Sequence, residues 1–139
     1  MVATASLATI IELLGDQGDP VRYTVADGTA ISKGTLLKVA DPRTASASTG
    51  AADKFAGIAA ADKVASDGST TLAAYTFGIF DIYSVPTQAI TAGVLVSTSE
   101  AQVIKPAAAT DVENGAIVGK ALESAAADTA EKIAVLVHV

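Results

Sequence analysis

From Val21 onward the chain alternates apolar and polar residues with the period of a strand. VRYTV at 21–25 ends at the turn signal Asp27-Gly28, and Thr35 to Val39 reads as the next strand. Ala40 to Asp53, ADPRTASASTGAAD, is small, polar and turn-rich, and is expected to be an exposed loop. Phe55 to Ala61 reads as a strand with a bulge or close approach at Gly57. After a second turn signal, Asp67-Gly68, Thr71 to Val85 predicts two strands hinged at Gly78 and central to the core, since it holds Tyr75, Phe77, Phe80 and Tyr83. Gln102–Lys105, Ala116–Val118 and Ile133–Val139 complete the strands. The Ala, Glu and Lys of 109–132 suit a helix, but Gly115 and Gly119 interrupt it, so a short turn near 108–113 or 122–130 is expected.

One block occurs twice. AISKGTLLKV runs from Ala30 to Val39 and AITAGVLVST from Ala89 to Thr98. Each is followed by a flexible stretch, a second glycine step (FAGIAAADK around Gly57, AIVGKALES around Gly119) and a closing apolar run (TLAAYTFGIF, KIAVLVHV). Gly34, Gly57, Gly93 and Gly119 are therefore expected to serve the backbone. A pattern recurring with its order intact implies one β unit used twice. Two copies are too few for a solenoid. The expected fold is mainly β, a single compact barrel-like or sandwich-like domain over 20–139, with minor helix.

Residues 1–19 precede this domain. Ile10, Ile11, Leu13 and Leu14 suit a strand or one or two turns of amphipathic helix, and Gly15 to Pro20 then break any regular element. The segment either packs on its own domain or is an arm that orders on a partner. With no Lys or Arg before its apolar part it lacks the charged start of a signal peptide, and Leu7–Leu14 is far short of the roughly 20 residues of a membrane span.

Composition narrows the function. Thirty of the 139 residues are Ala and there is no Trp, so the core must be built from small side chains and oligomer contacts are expected to add stability. A net charge of −6 with nine scattered Lys and Arg opposes nucleic-acid binding. The absence of cysteine excludes disulfides, thiolate metal sites and a Cys nucleophile. His138, the sole histidine, sits in a strand-like run. Asp81 and Glu100 are candidate paired carboxylates that no spacing selects. LGDQGDP at 14–20 lacks the alternating ligands and distal Glu of a calcium loop and reads as a turn. No phosphate loop, dinucleotide fingerprint or nucleophile elbow is present. No catalytic residue, metal or cofactor is expected, and the chain reads as a binding or structural protein.

The succession GTLLKV, loop, FAGIAAADKVASDGSTTLAAYTFGIFDIYSV resembles the head-decoration proteins of lambda-like tailed phages. The matching stations are Leu36-Leu37, Gly57-Ile58-Ala59, Ser69 to Leu72 and Tyr75 to Phe80. Those proteins are shorter, with no clear counterpart of 87–139. The wider group of small capsid cement proteins is similar over roughly 20–139. The resemblance implies a virion protein on the outer capsid surface, made in the host cytoplasm. It would assemble as trimers and clamp neighbouring major capsid proteins, with no nucleic-acid or membrane partner. It also implies that the segment 1–19, with Ile10, Ile11, Leu13 and Leu14, is the arm that reaches the capsid. The competing reading is a carbohydrate- or ligand-binding β module, which would need exposed aromatics or polar clusters on one face.

Overall fold

A computed structural model describes residues 7–12 and 20–138. The chain forms two five-stranded barrels, one after the other. The first contains β2 (Val21–Thr24), β3 (Leu36–Asp41), β4 (Thr44–Ala47), β5 (Phe55–Ala59) and β6 (Thr71–Tyr75), closed in the order β2-β4-β3-β5-β6. The second contains β7 (Phe77–Ser84), β8 (Leu95–Thr98), β9 (Val103–Pro106), β10 (Ile117–Ala121) and β11 (Lys132–His138). It runs β7-β11-β10-β8-β9, and a parallel β7–β9 pairing closes it. A short strand β1 (Thr9–Glu12) lies antiparallel on β7, and one short helix α1 (Ala109–Glu113) joins β9 to β10.

The two barrels have the same topology. In each, the first strand pairs parallel with the third (Thr24 with Thr44, Tyr83 with Val103) and antiparallel with the last. The repeated block supplies the second strand of each, introduced by the same bridge: Ile31 pairs with Lys63, and Ile90 with Ala125. Gly34 and Gly93 follow in the left-handed region, at φ +92° and +96°, where a side chain is strained. The internal repeat of the sequence is thus a duplicated barrel within one compact β molecule.

The interiors separate by size. The first barrel is filled by Val25, Ile31, Leu37, Leu72 and the alanines 45, 56, 59 and 74. The second takes larger residues, including Phe80, Ile82, Ile90, Ile104 and Ile133. The same second cluster includes Leu36, Phe55 and Ile58 of the first barrel, which turn outward from it and join the two. Two strands explain why the aromatic stretch is only partly core. Alternation along β7 buries Gly78, Phe80, Ile82 and Ser84 and leaves Phe77, Ile79, Asp81 and Tyr83 half-buried. The break between the strands falls at Thr76, where the chain passes from one barrel to the next, rather than at Gly78.

One further expectation is corrected, and the helix falls in one of its two expected places. The stretch 40–53 is not all loop: a tight turn at Pro42-Arg43 makes β3 and β4 a hairpin, and Arg43 there has φ +48°. Of the two places for a helix, 108–113 holds α1 and 122–130 holds none. Helix α1 stops in a Schellman arrangement. Gly115, at φ +73°, donates its N–H to the Val112 carbonyl and Ala116 donates to Asp111.

Gly57 and Gly119 occupy equivalent places in β5 and β10, each beside a register shift. A Cβ at Gly57 would lie 2.7 Å from the Tyr75 carbonyl oxygen, and the φ of +147° adds backbone strain. A Cβ at Gly119 would run into the Leu136 carbonyl. Gly57→Ala and Gly119→Ala are each expected to destabilise by about 2 kcal/mol or more in urea denaturation. Gly28→Ala, with open space around it, should stay within about 0.5 kcal/mol of the parent.

Candidate functional site

The joint between barrels is built from polar contacts around the outward residues of the first. Gln102 sits at φ +63° in the β8–β9 turn, and its amide pairs with both backbone groups of Leu36. The Leu36 N–H donates to Oε1 at 2.6 Å, and Nε2 donates to the Leu36 carbonyl at 3.0 Å and to Ser48 at 3.1 Å. Phe55 donates its N–H to the Gly115 carbonyl at 3.0 Å, and the Thr98 hydroxyl donates to the Asp53 carbonyl at 2.9 Å. The Tyr75 and Phe80 rings meet at 5.9 Å.

Asp carboxylates lock the loops flanking this joint. Asp111 is buried in the first turn of α1 and accepts from the Ala108 N–H at 2.7 Å, the Lys105 ammonium at 2.8 Å and the Ser97 hydroxyl at 3.1 Å. Burial raises its pKa, but the Lys105, Ala108 and Ser97 bonds outweigh it and hold the carboxyl below its usual range. Asp53 plays the same part in the first half. Burial there is outweighed by the N–H groups of Gly50 and Thr49, the Ser48 hydroxyl and Lys38. Lys63, buried at 3% exposure, donates to the carbonyls of Asp27 and Val64 and to the Asp67 carboxylate. Tyr23 donates its hydroxyl to the Ala56 carbonyl at 3.0 Å, and burial pushes its pKa up against the opposing charge of Arg43. These groups are fixed by structural partners.

The surface carries the remaining features. Ile10 packs partly against the core from β1, and Ile11, at the register shift beside it, is 46% exposed. Leu13 and Leu14 lie outside the described residues. Ala8 docks against Gly34, donating its N–H to the Gly34 carbonyl at 2.8 Å, and a Cβ on Gly34 would meet the Ala8 carbonyl. Gly93, its counterpart, has nothing within 4 Å of such a Cβ. A shallow groove of about 370 Å³ crosses the second barrel, lined by Phe77, Leu95, Ile117, Gly119, Lys120, Leu136 and His138.

The candidates for chemistry stay apart. His138 is exposed at the end of β11, edge-on to Phe77 at 5.3 Å. Asp81 is in mid-β7 between Thr9 and Ala134, whereas Glu100 is exposed before the β8–β9 turn. Among the described residues no group of His, Asp and Glu could hold a metal ion, and no helix is long and apolar enough to cross a membrane. Of the outward aromatic rings of β7, Phe77 packs on His138 and Tyr83 lies under the Lys132 ammonium at 5.7 Å. Gln102, Asp111, Lys63 and the groove were not singled out from sequence. Aligning the two halves past the repeated block would have pointed to the groove, by setting Leu95 and Gly119 against the buried Leu36 and Gly57.

The described residues thus form a duplicated small barrel whose buried polar groups are held by internal partners, with a few large apolar side chains left exposed. The chain matches the family model of phage cement proteins over residues 15–138 and belongs to that family. The family is a structural one, not an enzyme class, and its role is to stabilise the capsid. No curated protein matches the chain significantly.

The depressed carboxyls have a measurable consequence. A carboxyl whose folded pKa lies below its unfolded value of about 4 stabilises the fold above that pH, and the gain is lost as pH falls through the folded value. The melting temperature is therefore expected to fall as pH drops below about 4. In Asp111→Asn the share of this acid dependence due to Asp111 should disappear and that of Asp53 remain, while the neutral-pH stability drops by about 2 kcal/mol as the bonds from Lys105 and Ala108 lose their charged acceptor. Calorimetry from pH 7 to pH 2.5 checks both.

Proposed function

We propose that this cement protein binds the outside of the capsid shell as a homotrimer and clamps neighbouring major capsid proteins, with residues 1–19 as the attaching arm. It does so without catalysis or cofactor, and it is made in the host cytoplasm. The observation that carries the reading is the exposed Ile11 on a strand that pairs with β7 and turns Ile10 toward the core, next to a family match spanning the domain. Such a strand end offers both a hydrogen-bonding edge and an apolar side chain to a partner. A trimer engages several capsomers at once, so weak contacts multiply through effective concentration.

Ile11→Asp is expected to leave the melting temperature unchanged and to weaken binding to undecorated capsids at least about tenfold per site, the worth of one half-exposed apolar side chain. Deletion of residues 1–14 removes Ala8 and Ile10 from the core edge, so it should lower the melting temperature while leaving a folded protein that no longer co-sediments with capsids. Full binding by the truncated protein would place the attachment elsewhere on the barrels, and its unfolding would make the segment part of the core.

A further inference from the structure

The duplication gives each surface of one barrel a counterpart on the other, and the two copies of one surface have different fates. On the first barrel, Leu36, Phe55, Gly57, Ile58 and Tyr75 form a face covered by the second barrel. The equivalent residues of the second barrel are Leu95, Ile117, Gly119, Lys120 and Leu136. These are the residues that line its open groove. Leu95 is 45% exposed where Leu36 is 1%. The same asymmetry holds for the surface that does the covering. The second barrel presents Gln102, in its hairpin turn, and Phe80 to the first. The equivalents on the first barrel are Arg43, also at positive φ in a hairpin turn, and Val21. Both are exposed.

We propose that the open groove of the second barrel receives the first barrel of another copy of this chain, head to tail, repeating the joint found within the chain. Each copy then has one free groove and one free tip, so every joint is heterologous. Contacts of this kind close into a ring or run on as a fibre, and a discrete particle requires closure. In the trimer proposed above, on which this inference rests, closure sets six barrels around one axis, with within-chain and between-chain joints alternating. Lys120, standing where the first barrel has Ile58, gives the between-chain groove a cation, and the exposed tip carries Asp41 beside Arg43.

Light scattering after size exclusion tests the joint with two variants. Leu95→Asp blocks the groove and leaves the tip intact. Val21→Asp with Arg43→Asp blocks the tip and leaves the groove intact, and Asp tolerates the backbone at position 43. The parent should run as a trimer and each variant as a monomer. An equimolar mixture should form a dimer of one variant of each kind and grow no further, because the pair retains one blocked groove and one blocked tip. Circular dichroism establishes folding, and Lys120→Glu replaces Leu95→Asp if the latter loses its β spectrum. A parent that stays monomeric at its highest soluble concentration, a variant that keeps the parent's mass, or a mixture that stays monomeric overturns the joint. Co-sedimentation with capsids is read separately: if the parent is monomeric and still binds shells, the arm attaches as proposed and the ring alone fails.

Discussion

The narrow bore of a five-stranded barrel governs this molecule. Closing a sheet with so few strands leaves room inside for few side chains, and those must be small where strands draw closest. Ala45, Ala56, Ala59 and Ala74 fill the first barrel for that reason. Where even a methyl group has no room, glycine is required: Gly57 lies under the Tyr75 carbonyl and Gly119 under that of Leu136. The alanines that line the first barrel are the packing solution for its small bore, while the second barrel admits larger side chains. What such interiors cannot supply in buried area is supplied by the face between them, where Leu36, Phe55 and Ile58 join the larger cluster of the second barrel.

The polar groups follow from the same geometry. Short strands put a large share of the chain into connections, and each connection has N–H groups to satisfy. Asp53 and Asp111 do this in the two halves by different means. One gathers the amides of an irregular loop, and the other bonds back to the N–H that precedes a helix. Lys63 ties a third connection to Asp27 and Asp67. Its counterpart in the second barrel is Ala125, where no such tie is made. The two halves share a backbone plan and differ in how each finishes its loops.

Much of this plan is legible in the chain. The repeated AI-x-x-G block, the glycine steps and the closing apolar runs mark the equivalent strands of both barrels, because backbone strain and close approach leave few residue choices there. The strand β4 was hidden, since TASA carries no alternation strong enough to separate it from a loop, and only pairing with β3 reveals it. The split of the aromatic stretch at Thr76 was hidden too. Strand propensity runs through YTF without a break, and only barrel closure divides it. The joint was least visible. Gln102 acts through a left-handed backbone that no local signal demands of glutamine, and Leu36 and Leu95 look alike in sequence although one is covered and the other is not.

The passage from β6 to β7 has one residue between strands: Tyr75 ends the first barrel and Phe77 begins the second. Without slack there, the barrels cannot swing apart as domains on a tether do. A pull on the first barrel passes along the backbone directly into β7. That strand is held along its length by β11 over seven residue pairs, so the load falls on many hydrogen bonds in shear rather than on one at a time. A protein made this way behaves under tension as one stiff strut, which suits a shell that must resist being pushed outward from within.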